Sequence, residues 1–210
     1  MAFFFVLIVA YLFFVFAGTD NWKTRSAVLS TVEPFIFTNE DGQTFTNNNM
    51  AGKVCVVNYF FTTCKGICPR MNNNMKKVYE HYKDTPGFMI VSLTSDPETD
   101  SPQKLKQYAD SLQVDTQKWV FLTGRKDSLY NAARRSFMLD DPHNSVIDIK
   151  DQFLHTQFWA LVDKNGKVRG QIYDGLKEED IKKLENDIQD LLDEKVSNSR
   201  FVNSLFTNNP

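Results

Sequence analysis

The chain has 210 residues, with 24 Lys and Arg against 26 Asp and Glu and a formal charge of −2. That interspersed, near-neutral balance gives no basic surface for nucleic acid and excludes nucleic-acid binding as a partner class. The length suits a membrane segment plus one domain of about 150–170 residues, and three cysteines are too few for a disulfide framework.

Residues 1–18 are almost wholly apolar and hold six of the eighteen phenylalanines. An uncharged run of this length can just cross a bilayer. It has no basic n-region and a longer apolar core than a cleaved signal, so an uncleaved anchor is expected over cleavage near Val15-Phe16-Ala17. Lys23 and Arg25 follow it, and the positive-inside rule alone would place the domain in the cytoplasm. Residues 19–31 read as a polar linker, 32–195 as the folded domain and 196–210 as an unassigned tail.

Phe35–Thr38 and Thr44–Phe45, joined across Asp41-Gly42, predict an amino-terminal β-hairpin. Val54–Phe61 follows as a strand apolar enough to be buried on both faces, with Cys55 inside it as a small hydrophobe. Thr62-Thr63 ends the run, and Cys64-Lys65-Gly66-Ile67-Cys68-Pro69 opens a helix to Tyr82 whose first turn carries the second thiol. Two thiols held at the end of a strand either exchange electrons as a dithiol/disulfide couple or bind a soft metal as thiolates. Met71 and Met75 lie at helical spacing with Val78 and Tyr82, which fits core packing better than thioether ligation.

Further strands are expected at Phe88–Leu93 and Trp119–Leu122. Helices are expected at Pro102–Leu112, capped by Ser101, and at Lys126–Phe137. Val146–Ile149 reads as an inserted hairpin arm. Phe158–Val162 and Lys167–Tyr173 form a second hairpin about Asn165-Gly166, and Lys177–Leu192 a last helix. This order is a mixed α/β sheet with helices on both faces. It matches a thioredoxin-like layout with an added amino-terminal hairpin. His81 and His143 read as solvated side chains. His155, just before the strand Phe158–Val162, falls beside the reactive loop in that layout.

The combined pattern is Phe60-Phe61-Thr62-Thr63-Cys64-x-x-x-Cys68-Pro69, Asp96-Pro97-Glu98-x-Asp100-Ser101-Pro102, Leu122-Thr123-Gly124, His155-Thr156 and Asp163-x-x-Gly166. It resembles the Sco/SenC family of membrane-anchored, thioredoxin-fold copper proteins involved in assembling cytochrome c oxidase. The resemblance covers about residues 32–192 and the anchor. It implies copper, as Cu(I) or Cu(II), bound by Cys64, Cys68 and His155, and a cytochrome c oxidase subunit or another copper protein as partner. The chain departs from the family at Lys65-Gly66-Ile67 between the cysteines and at Leu154 before the histidine. Neither change removes a ligand.

The residue chemistry agrees with that reading. Thiolates favour Cu(I), and an added imidazole extends the site to Cu(II). The helix amino terminus, Lys65 and Arg70 are expected to favour the thiolate form. Zinc fits less well, since a closed structural site wants four ligands. The competing enzyme reading is a thiol-disulfide oxidoreductase with Cys64 and Cys68 as its catalytic pair, although three residues separate them where two are usual. A peroxidase lacks a placeable activating arginine. A purely structural domain gives no reason for the thiol pair. Copper and disulfide chemistry belong to an oxidising compartment. The expected location is therefore the bacterial inner membrane, with the domain on its periplasmic or outer side.

Overall fold

The computed structural model describes residues 4–8, 11, 26–140, 154 and 156–194. Among these, one sheet holds eight strands: β1 (Val28–Thr31), β2 (Ile36–Asn39), β3 (Thr44–Thr46), β4 (Val54–Phe60), β5 (Phe88–Thr94), β6 (Trp119–Thr123), β7 (Phe158–Val162) and β8 (Lys167–Asp174). Their order is β1-β8-β7-β4-β5-β6-β2-β3. The helices are α1 (Cys68–Tyr82), α2 (Pro102–Leu112), α3 (Lys126–Asn131) and α4 (Glu178–Asp193).

β4 is central and all seven of its residues are buried. It pairs in parallel with β5 and antiparallel with β7. Its alternate side chains enter two cores, as the two-residue period of a strand dictates. Cys55, Val57 and Tyr59 join Leu129, Tyr130 and Phe137 from α3 and the turn after it. Val54, Val56 and Phe60 join Met71 and Met75 of α1, Leu105 of α2 and Leu184 of α4. Helices thus cover both faces, which is why β4 and β5 are buried throughout instead of alternating, with the polar pair Asn58 and Ser92 bonded to each other at 2.6 Å.

The amino-terminal hairpin forms about Asp41-Gly42, with Gly42 at φ +77°. There the side chain of Asn39 accepts from the amides of Asp41 and Gln43 at 3.2 and 2.7 Å. β2 extends the sheet by pairing with β6. Past Asn39 the ladder stops, and the carboxylate of Glu40 accepts the Phe121 amide at 2.9 Å instead. Burial raises the Glu40 pKa, and the Phe121 amide opposes that rise.

Two sequence expectations are corrected. The expected linker at 19–31 contains β1, which pairs antiparallel with β8. Val28 and Leu29 are 53% and 37% exposed, so backbone pairing to an otherwise open edge forms this strand, and no hydrophobic alternation signals it. The helix expected from Lys126 to Phe137 is α only to Asn131 and continues as a π-helical turn, Ala132–Ser136. The wider turn presents Ser136 to the amino-terminal segment, where it accepts from the Ser30 hydroxyl at 2.5 Å and from the Glu33 amide at 3.0 Å. The expected arm at 146–149, His143 and the tail at 196–210 lie outside the described residues, as does most of the expected anchor. Among the described residues no helix is long and apolar enough to cross a membrane.

Candidate metal centre

The chain leaves β4 at Phe60, crosses residues 61–67 and enters α1 at Cys68. Cys64 is half-buried in that crossing and Cys68 is 6% exposed at the first helical position, followed by Pro69. A proline here costs no hydrogen bond, because amides in the first turn have no intrahelical acceptor. No side chain caps α1. The two cysteines are free thiols, carried together on the crossing from β4 into α1.

Burial pushes the Cys68 thiol up to about 12, and the hydrogen bond and charge of Cys64 add to the rise. Amide hydrogen bonds at Phe61 and at Cys68 itself act the other way. The depressed thiol expected from Lys65 and Arg70 is therefore not found at Cys68. Both basic side chains are exposed, where water screens them, and desolvation dominates. A thiophilic cation entering here must displace a firmly held proton.

Tyr108 of α2 packs behind the first turn of α1. Its ring stacks on Phe60 at 5.1 Å, and its hydroxyl accepts from the amide group of Asn72, one turn along α1 from Cys68. Burial raises the Tyr108 pKa, and the charge of Cys68 adds to the rise. Beneath the loop, the Asp100 carboxylate accepts from Thr62 and Thr94.

On the other side, Leu154 and Thr156 line the same small recess as Cys68, Ile67, Phe61 and Ser95. The Tyr130 hydroxyl donates to the Ser95 carbonyl and accepts from the Leu154 amide, both at 3.0 Å. The approach to β7 is thus bonded to the loop that follows β5. His155 lies outside the described residues. Among the described residues no group of three His, Cys, Asp or Glu is placed to hold a metal.

The remaining candidates fall elsewhere. Cys55 is fully buried in the core, where burial raises its pKa to about 12. Met71 and Met75 pack in the core. The His81 side chain is 61% exposed, 3.7 Å from Glu185. Asn72, Tyr108 and Tyr130 were not singled out in the sequence. Thr62 and Asp100 stood in quoted motifs, Phe60-Phe61-Thr62-Thr63-Cys64 and Asp96-Pro97-Glu98-x-Asp100, with no role assigned to either.

A dithiol carried between a core strand and its helix, in a mixed sheet covered on both faces, is the arrangement of the thioredoxin-like proteins, and this chain has that fold. Within that class it belongs to the SCO1/SenC family, whose model matches residues 23–193. A SCO1 protein homolog of Bacillus subtilis (strain 168) is 33% identical over 141 residues, 65% of this chain and 70% of that one. The solved structure of BsSco is similar at 28% identity, 82% coverage of this chain, 100% of that chain and a TM-score of 0.68. BsSco is described there as having a disulfide switch and as a member of the Sco family of cytochrome c oxidase assembly proteins. Copper-bound ScoI of Bradyrhizobium japonicum shares the fold at 21% identity, with 77% of this chain and 98% of that one covered and a TM-score of 0.58.

Proposed function

We propose that this chain carries copper on Cys64, Cys68 and His155 and delivers it to, or prepares the copper site of, a respiratory cytochrome c oxidase. The observation that carries this reading is the pair of free thiols, Cys64 and Cys68, on the crossing from the end of β4 into α1. Two adjacent sulfurs form a donor pair suited to Cu(I). Family membership supports copper as cargo, and the recess shared by Cys68, Leu154 and Thr156 supports His155 as the third ligand. The imidazole would extend the site to Cu(II). The site faces a partner copper protein or oxidase subunit from a domain anchored to the bacterial inner membrane, on its periplasmic or outer side.

The test is a paired Cu(I) and Cu(II) titration of wild type, Cys64→Ser, Cys68→Ser and His155→Ala. One copper per chain is expected for wild type. Either serine variant should abolish tight Cu(I) binding, because a hydroxyl is a hard, poorly ionised donor. His155→Ala should keep Cu(I) in part and lose the visible sulfur-to-copper band of Cu(II). An intact Cu(II) spectrum in His155→Ala would sink the three-ligand site.

The second reading is thiol-disulfide exchange by Cys64 and Cys68. The same pair favours it, since two free thiols at the two ends of one short loop segment can join by a local movement. It should survive His155→Ala, which separates the two readings.

A further inference from the structure

Two loops meet under the thiols and are stitched into one unit. The Phe60 carbonyl, last in β4, accepts from the Ser95 amide at 2.8 Å and the Ser95 hydroxyl at 3.2 Å. Two residues on, the Thr62 amide donates to Asp100 Oδ2 at 3.1 Å and the Thr62 hydroxyl to Asp100 Oδ1. The Thr94 hydroxyl donates to the same carboxylate at 2.6 Å and accepts from the Asp96 amide at 2.9 Å. The Asp100 amide in turn donates to the Asp96 carbonyl at 2.9 Å. Asp100 is wholly buried, so its carboxylate depends on these donors in place of water. Thr63, Lys65 and Gly66, by contrast, are exposed.

We propose that Asp100 is the positioning residue of the dithiol: by gripping Thr62 through both its amide and its hydroxyl, it sets the direction in which the chain leaves β4 and so where Cys64 stands relative to Cys68. The proposal rests on the reading that this thiol pair is the working site, whether it closes on copper or on itself. Either closure joins two sulfurs across a short loop, and a loop already aimed raises their effective concentration. Residues that orient metal ligands from behind typically change metal affinity by about 10–100-fold when replaced. Asp100→Asn keeps the volume but turns an NH2 donor toward Thr62 or Thr94, leaving donor against donor in a buried place. Thr62→Val removes the hydroxyl at constant shape, and Thr62→Ser restores it.

The experiment equilibrates the full chain with reduced and oxidised glutathione, in which each Cys64–Cys68 bond formed turns one oxidised glutathione into two reduced. Thermal unfolding of each variant is followed in parallel, and Cu(I) competition against a chelator forms a second arm. Asp100→Asn and Thr62→Val should each lower the disulfide formation constant about 10-fold or more, with Thr62→Ser near wild type. Cu(I) affinity should fall in step. A lowered melting temperature with a formation constant within about twofold of wild type overturns the proposal and leaves Asp100 an ordinary structural group. Should Asp100→Asn not fold, the threonine variants decide, and equal constants for Thr62→Val and Thr62→Ser overturn it. The glutathione arm uses no metal, so a wild type that binds no copper would defeat the copper reading while this test still stands.

Discussion

The phenol of Tyr130 and the backbone of Leu154 are joined by a 3.0 Å hydrogen bond that ties α3 to the segment entering β7. The same hydroxyl donates to the Ser95 carbonyl. One buried oxygen therefore links the loop after β5 to the residue that precedes His155. Tyr130→Phe should leave the Leu154 amide without this acceptor and cost about 1–3 kcal/mol, read from urea unfolding. Under the copper reading it should also weaken Cu(II) binding more than Cu(I). An unchanged midpoint together with an unchanged Cu(II) spectrum would remove Tyr130 from any role here.

Arg169 makes the other clasp of the fold. It is 5% exposed and bonds Asp163 at 2.8 Å, Glu194 at 3.2 Å and the Ser26 carbonyl at 3.0 Å. It thereby joins the segment before β1 to the end of α4. Arg169→Met should destabilise the domain by about 3–5 kcal/mol, because the Asp163 carboxylate stays buried without its cation. Arg169→Lys should recover part of that, since the charge returns without the planar fork. Denaturant midpoints check both, and a loss under about 1 kcal/mol for Arg169→Met would show the clasp to be incidental.

Cys55 supplies a pH signature. Burial raises its pKa from 9.0 to about 12, with Lys53 opposing weakly. The folded state keeps this proton where the unfolded chain releases it. The stabilising contribution is therefore whole below pH 9.0 and is lost as pH rises toward about 12. For one proton the slope is about 1.4 kcal/mol per pH unit. Metal-free Cys55→Ala should lose stability less steeply than wild type across that window, whatever its offset from the small cavity. Parallel curves would refute the assignment.

The apolar run at 1–18 should keep the full-length protein in the membrane through a high-salt wash. Release of the protein by salt, or a mature amino terminus at Gly18, would end the anchor reading.

What the sequence made legible was local. Val54–Phe61 ending in Thr62-Thr63 and the cysteines is a strand, loop and helix within one short stretch, and apolar periodicity carries it. The Asp-Gly turn of the first hairpin is read the same way. The polar frame of the site is not local: Thr62 and Asp100 are 38 residues apart and Tyr130 and Leu154 are 24 apart. Thr, Ser and Asp in loops look like ordinary turn formers until the fold buries them. β1 escaped notice because its strand character comes from the partner edge it meets, which no pattern within 28–31 records. The thiols lie at the strand-to-helix crossing where the sequence puts them, but the direction of the Cys68 shift is opposite to the one expected. The sequence displayed the nearby charges of Lys65 and Arg70, whereas the opposing desolvation follows from tertiary burial.

The unequal burial of the two thiols imposes an order of events. A partner approaching from solvent meets half-buried Cys64 first, while Cys68 lies behind it at 6% exposure. Any hand-over then opens at Cys64 and finishes at Cys68, so the pair has a front door and an inner latch. A partner's disulfide should accordingly be captured as a stable mixed adduct by Cys68→Ser, with Cys64 as the attacking sulfur, and poorly by Cys64→Ser. Equal capture by both variants would mean that the loop opens far enough to erase the order. If the order holds, changes in the exposed residues around Cys64, Lys65 and Gly66 among them, govern which partners are admitted, and changes around Cys68 govern how long they stay.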